Sequence, residues 1–210
     1  MEHEFWFERW RENRLGFDQA NPNPLLVNHF GRLAVPAPGR VFVPMCGKTI
    51  DIAWLLEKGY RVVGSELVPS AIEQLIEILG LKPQITAMGD VVRYACEDLD
   101  LFAGDIFCLQ KTLVGPIDAT YDRAALVALP QAIRKKYAEH LVALTGRAPQ
   151  LLISFDYDQS EMAGPPFSVT SAEINSLYGE RYNLKLIDRV PVPGGLKGIC
   201  DADECVWLLN

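Results

Sequence analysis

The chemically suggestive residues begin at a short turn, Pro44-Met45-Cys46-Gly47-Lys48-Thr49, which follows an apolar run and carries glycine, lysine and threonine together. A phosphate-cradling loop ending in Gly-Lys-Thr needs another glycine five positions before Gly47, where this chain has Phe42. The dinucleotide fingerprint G-x-G-x-x-G is missing as well, because Gly47 is the only glycine between Arg40 and Lys58. A pyrophosphate is therefore a poor fit. Glu66 stands about 20 residues beyond the glycine, where a carboxylate accepts both hydroxyls of a ribose. A nucleoside without a pyrophosphate suits that combination. The plainer alternative is that Gly47 makes a tight turn and Glu66 is a solvated strand end.

Further polar residues fall at comparable places: Gly104 and Asp105 late in a third apolar run, Asp122 and Arg123 after a fourth. A carboxylate at the third position can accept from an adenine amino group, and a cation near the first turn can face a carboxylate. Adenine, ribose and an amino-acid carboxylate are the parts of S-adenosylmethionine. Each residue also has a structural alternative, a turn cap for Asp105 and an ion pair with Asp122 or a neighbouring carboxylate for Arg123. The three histidines, His3, His29 and His140, have no ligand spacing, so surface or capping roles suit them and no metal is expected. Trp6, Trp10, Phe17, Phe30 and Phe167 can line an acceptor pocket or simply fill the core.

The elements that must position these groups alternate between β-branched apolar runs and helical stripes ending in glycine, which predicts a βαβ fold. The runs are Arg40 to Pro44, Tyr60 to Glu66, Leu99 to Phe107, Ile117 to Tyr121 and Gln150 to Tyr157. Runs without polar alternation suit a parallel sheet covered on both faces. Helices are predicted from Asp51 to Lys58, from Ser70 to Leu79 with a Ser70/Glu73 capping box, and along Ile133, Tyr137, Leu141 and Leu144 before Gly146. Thr170 and Glu173 cap a short helix reaching Tyr178. Leu184 to Val192 and Glu204 to Leu209 then read as consecutive strands without a crossover helix, an antiparallel edge. Phe5 to Asn13 is an amphipathic helix with Trp6 and Trp10 one turn apart.

At 210 residues, nearly half of them apolar, the chain suits one domain with one core. A net charge of -7 disfavours a phosphate backbone, so no nucleic-acid partner is expected. No apolar stretch approaches the ~20 residues that span a bilayer, and the N-terminus lacks a signal-peptide pattern. A cytoplasmic protein without membrane contact follows as the expectation. Five cysteines without a C-x-x-C pair read as reduced thiols.

The sequence resembles the thiopurine S-methyltransferase family. The resemblance rests on Phe5 and Trp6 with Trp10, on Val41 to Thr49, on Val63-Gly64-Ser65-Glu66, on Tyr121 to Leu126 and on Gly164-Pro165-Pro166-Phe167, in family order. It implies a class I S-adenosylmethionine-dependent methyltransferase, with a Rossmann-like α/β fold, a seven-stranded mostly parallel sheet, an antiparallel last strand and helices on both faces. It implies one methyltransferase domain in which residues 1–35 cap the cofactor and 36–210 form the core. By position it implies cofactor contacts from Trp10, Met45, Gly47, Glu66, Leu67, Asp105, Ile106 and Arg123. Arg123 and Asp18 are acceptor-side candidates, although many family members have His where this chain has Asp18; no catalytic residue is assigned. The implied acceptor is a thiopurine or another small aromatic or heterocyclic thiol, or a selenium or tellurium compound, and the implied state is a monomer. Methyl transfer to a soft nucleophile needs alignment more than a strong base. An amino-methyltransferase of nucleic acid is disfavoured, because its Asn/Asp-Pro-Pro-aromatic motif should follow the fourth strand, where Tyr121-Asp122-Arg123 stand. A non-catalytic S-adenosylmethionine sensor remains the alternative.

Overall fold

A computed structural model describes residues 3–16 and 19–210. Its centre is a nine-stranded sheet: β1 (Arg40–Val43), β2 (Arg61–Glu66), β3 (Gln84–Met88), β4 (Val91–Ala95), β5 (Leu99–Ala103), β6 (Ala119–Arg123), β7 (Gln150–Asp156), β8 (Leu184–Pro191) and β9 (Asp203–Leu209). They lie in the order β3-β4-β5-β2-β1-β6-β7-β9-β8. The contiguous seven from β5 to β8 are the predicted sheet: β5, β2, β1, β6 and β7 pair in parallel, and β9 enters antiparallel between β7 and β8. Sequence patterning missed the other two strands. The β3–β4 hairpin adds antiparallel pairs beside β5. The residues of β3 are largely exposed, so no alternation of burial marks it.

Strand alternation divides the core. Phe42, Val63 and Phe102 face α6 (Gln131–Thr145) and α7 (Ser171–Tyr178), with α5 (Lys111–Val114) on the same side. Val41, Val43 and Val62 face α2 (Pro24–His29), α3 (Asp51–Glu57) and α4 (Pro69–Leu79). Helices therefore cover both faces, as predicted. Gly80 and Gly146 end α4 and α6 in the left-handed conformation, the role read for them. Thr170 caps α7 by accepting from the Glu173 N–H. The Ser70/Glu73 capping box does not form: Pro69 occupies the first helical turn, Val68 is the N-cap, and no side chain caps it from there. Proline's fixed φ starts the helix two residues earlier than the box requires. The remaining helix, α1 (His3–Arg11), buries no residue and lies outside both core layers.

One buried ion pair holds the loop that leads from β7 toward α7. Arg134 of α6, 3% exposed, donates to the carbonyls of Leu129 and Ser168 and to Glu173, and lies 5.6 Å from the centre of the Phe167 ring. Removing one partner of a buried pair leaves the other without its counter-charge. Arg134→Met should therefore lower the unfolding free energy by about 3 kcal/mol, read from urea denaturation. An unchanged midpoint would deny the pair this role.

Candidate functional site

The carboxyl edge of the sheet carries a connected set of polar contacts around the turn after β1. Met45 and Gly47 both have positive φ, 47° and 54°. This folds the chain back so that its amides meet the end of β2. Met45 N–H donates to Ser65 Oγ at 3.2 Å, Cys46 N–H to the Ser65 carbonyl at 2.8 Å, and Gly47 N–H to Glu66 Oε2 at 2.8 Å. The other oxygen of Glu66 accepts from Val68 N–H at 2.9 Å. One carboxylate thus ties the first turn to the entry of α4. Burial pushes the Glu66 pKa up, and the amides of Val68, Gly47 and Leu67 oppose that rise. Glu66 is 7% exposed, so the solvated-strand-end alternative is not what the fold builds. The neighbouring Cys46 thiol is pushed well up by burial and by the Glu66 charge, which keeps it an un-ionised wall group.

Below the turn, alternate residues of β6 serve opposite faces of the sheet. Tyr121 donates to Asp51 Oδ2 at 2.9 Å, and Asp51 Oδ1 accepts from Asn23 N–H at 2.7 Å, fixing the start of α3 against the segment before α2. Asp122 points the other way, accepting from the Tyr137 hydroxyl at 2.7 Å and from Leu126 N–H at 3.1 Å. Those bonds are not an ion pair with Arg123. Arg123 closes the strand, and its positive charge counters the burial that pushes the Glu204 pKa up.

Above the edge lies α1. His3 Nε2 is 3.0 Å from Asp105 Oδ2, and a Cβ on Gly47 would come 3.4 Å from the Trp10 ring. Lys48 sits 6.0 Å from the centre of that ring and donates to Gln74 Oε1 at 3.1 Å. Between helix and sheet edge is a cavity, and Trp10, Met45, Gly47, Glu66, Leu67 and Arg123 all line it. Asp105 and Ile106 do not. Asp105 caps a single turn, Ile106–Cys108, through Phe107 N–H at 3.0 Å, the alternative role read for it. Ile106 is a core residue whose carbonyl accepts from His140 Nε2 at 2.8 Å. Both nevertheless follow Gly104, whose N–H donates to the Glu66 carbonyl at 2.8 Å, so they adjoin the same edge. Asp18 and Phe17 lie outside the described residues.

Of the remaining aromatic candidates, Trp6 lines the cavity, whereas Phe30 packs edge-on against Trp54 and Tyr60 in the core. His29 is buried and bonded to Asp188 at 2.8 Å, and its side chain takes neither the surface nor the capping role expected. Sequence reasoning missed Arg9, Arg14 and Lys197, which line the cavity too. For Arg9 a signal existed: Trp6, Arg9 and Trp10 follow the i, i+3, i+4 spacing of one helical face. For Lys197, on the loop between β8 and β9, there was none.

The residues present fit a nucleoside-bearing sulfonium cofactor. The buried Glu66 carboxylate lines the cavity at the end of β2, the turn beside it is folded at positive φ, and the walls are apolar at Met45 and Leu67. Comparison with known proteins agrees. Residues 1–196 match the family described as thiopurine S-methyltransferase. Thiopurine S-methyltransferase of Xanthobacter autotrophicus is 54% identical over 211 residues, covering 100% of this chain and 99% of the relative. That of Acinetobacter baylyi is 47% identical over 214 residues, with 100% and 99% covered. Among solved structures, 1,6-didemethyltoxoflavin-N1-methyltransferase of Burkholderia thailandensis, with bound 1,6-didemethyltoxoflavin and S-adenosylhomocysteine, superposes with a TM-score of 0.68 at 18% identity. It covers 99% of this chain and 87% of that one. That likeness bears on the fold.

Asp122 makes the edge pH-sensitive. Burial pushes its pKa up to about 6, against the opposing bonds from Tyr137, Leu126 and Ala125. An unfolded aspartate titrates near 3.9, so between about pH 4 and 6 the native state keeps a proton that the unfolded state has lost. This group's contribution to stability is therefore greatest at low pH and declines as pH rises through that window. The stability of Asp122→Asn minus that of the wild type should climb across pH 4 to 6 by on the order of 3 kcal/mol and then level off. The lost Tyr137 bond shifts both ends of that curve equally. A flat difference by urea denaturation would remove Asp122 as the titrating group.

Proposed function

The chain belongs to the thiopurine S-methyltransferase family, and from that premise we propose that the cavity under α1 aligns S-adenosylmethionine with a small aromatic or heterocyclic thiol. The protein is an S-adenosylmethionine-dependent methyltransferase with the class I fold. The observation that carries the reading is the buried Glu66 carboxylate, held by Gly47 and Val68 amides at 2.8 and 2.9 Å, lining a cavity roofed by Trp6 and Trp10.

When bound, S-adenosylmethionine supplies an electrophilic methyl carbon on a sulfonium, which a thiolate takes up as neutral S-adenosylhomocysteine leaves. The residues of the chain do the holding. Each Glu66 oxygen has a lone pair left after its backbone bond, so the carboxylate can accept from a ribose hydroxyl without releasing the turn. Met45 and Leu67 supply apolar walls, and Trp10 closes the site from above. Arg123 stands at the acceptor side as a cation that favours a thiolate over a thiol. Asp105 and Ile106 serve the adenine, with Asp105 exchanging His3 for the base. Within residues 1–35, α1 acts as the cap, whereas α2 and Phe30 pack with the core that 36–210 form. Excluding water and fixing the approach supplies roughly 7–11 kcal/mol in favourable cases. Thiols on aromatic rings ionise readily enough to need no strong base, and a soft sulfur nucleophile needs no metal. Selenium and tellurium compounds, softer still, extend the same acceptor class.

The test combines calorimetric titration with S-adenosylhomocysteine and methyl transfer from labelled S-adenosylmethionine to 6-mercaptopurine. Binding with turnover is expected; binding with no turnover on any thiol would identify a sensor. Glu66→Gln, checked for folding by circular dichroism, should weaken S-adenosylhomocysteine by about 1.5–3 kcal/mol, tenfold or more. Unaltered affinity in the folded variant would refute the ribose role.

A further inference from the structure

We propose that Asp122, which is fully buried and does not line the cavity, is a positioning residue for methyl transfer: it holds the strained turn that carries Arg123 to the cavity wall. The inference rests on the methyl-transfer reading and adds to it a residue on the core side of the sheet.

The chain turns sharply as it leaves β6. Arg123 ends the strand, and Ala124 follows at φ 67°, in the left-handed region that an alanine side chain disfavours. Such a conformation persists only where its surroundings enforce it. The enforcing group is the Asp122 carboxylate, which accepts from Leu126 N–H at 3.1 Å and is favoured by the Ala125 amide as well. The segment held in this way is one wall of the cavity, lined by Arg123, Ala124 and Ala128. That wall also reaches the loop after β7: Phe167 N–H donates to the Val127 carbonyl at 2.7 Å, and Pro165 lines the cavity too. Asp122 points to the other face of the sheet, so it acts on Arg123 through the backbone.

The second oxygen of Asp122 accepts from the Tyr137 hydroxyl at 2.7 Å. Among the described residues, the titratable groups facing Asp122 are Tyr137 on α6 and Tyr178 on α7. Burial, and after it the Asp122 charge, push both phenols well up, so both stay neutral. Leu152 stands opposite on β7. Burial pushes Asp122 itself up to about 6. A proton added to either oxygen meets a donor already bonded there, and the neutral acid accepts more weakly than the carboxylate. The turn, and Arg123 with it, loosens as pH falls through that value.

Two measurements test this. In the ligand-free protein, the amide resonances of Ala125 and Leu126 and the Arg123 Nε–H resonance are followed by heteronuclear NMR from about pH 5 to 7.5. All three should move together with a midpoint of about 6 in the wild type, and stay still in Asp122→Asn. In Tyr137→Phe, which loses a bond that favours the carboxylate, they should move at higher pH. Methyl transfer from labelled S-adenosylmethionine to 4-nitrothiophenol, a thiol acidic enough to stay largely ionised over that range, is then measured at its upper end. Asp122→Asn should lower kcat/KM by about tenfold or more in the wild type, but by less than about twofold when Arg123 is already methionine. An Arg123 resonance that ignores the transition seen at Leu126 would overturn the proposal. So would equal losses with and without Arg123, the mark of a purely structural residue. If Asp122→Asn does not fold, an unmoved midpoint in Tyr137→Phe overturns it. Equal losses in an active enzyme refute this proposal alone, whereas a wild type that methylates no thiol refutes the methyl-transfer reading and this proposal with it.

Discussion

The carboxylate of Glu66 sits between two segments and bonds them both. Its oxygens take the amide of Gly47 from the turn after β1 and the amide of Val68 at the start of α4. Two backbone donors would otherwise face a buried edge without acceptors, a costly state. One side chain thus joins the turn, the start of the helix and the wall of the cavity. Burial disfavours its charge while three amides favour it. The site is thus preorganised around a group kept polar by the backbone it organises.

The rest of the edge uses the period of a strand. Consecutive residues of β6 send Tyr121 to Asp51 on one face and Asp122 to Tyr137 on the other. Each buried carboxylate gains a phenol donor and a backbone donor, so neither core layer contains a bare charge. Arg123, next along, has reached the end of the strand and the cavity. A shift of one residue in the pairing of β6 with β1 and β7 would exchange these roles. The parallel register, with Thr120 opposite both Phe42 and Gln150, is therefore also a constraint on the chemistry.

α1 is the opposite case, a helix that buries nothing and is positioned by contacts at the cavity rim. His3 meets Asp105, while Trp10 lies against Gly47 and near Lys48. A helix with so little core contact opens at low cost compared with the layers beneath it. That property suits a roof over a site that small molecules must enter and leave. The β3–β4 hairpin buttresses the far side: Gly104, at φ 144°, lets the Asp90 carbonyl and Val91 approach within 2.9 Å of where a Cβ would stand.

The residues alone determined the alternation of strands and helices, the glycine stops of α4 and α6, the Thr170 cap, the reversed last strand and the pairing of Gly47 with Glu66 as one site. All of these are local chemistry or a periodicity set by burial, and both are written in the order of residues. The hairpin escaped because its outer strand is exposed and leaves no alternation, and the Ser70/Glu73 box failed because Pro69 opened the helix first. Only the tertiary structure decided that Glu66 would be spent on two amides, that Asp122 would turn to Tyr137 instead of Arg123, and that Arg9 and Lys197 would line one cavity. Those outcomes depend on which distant groups share a buried volume, and no spacing along the chain records that.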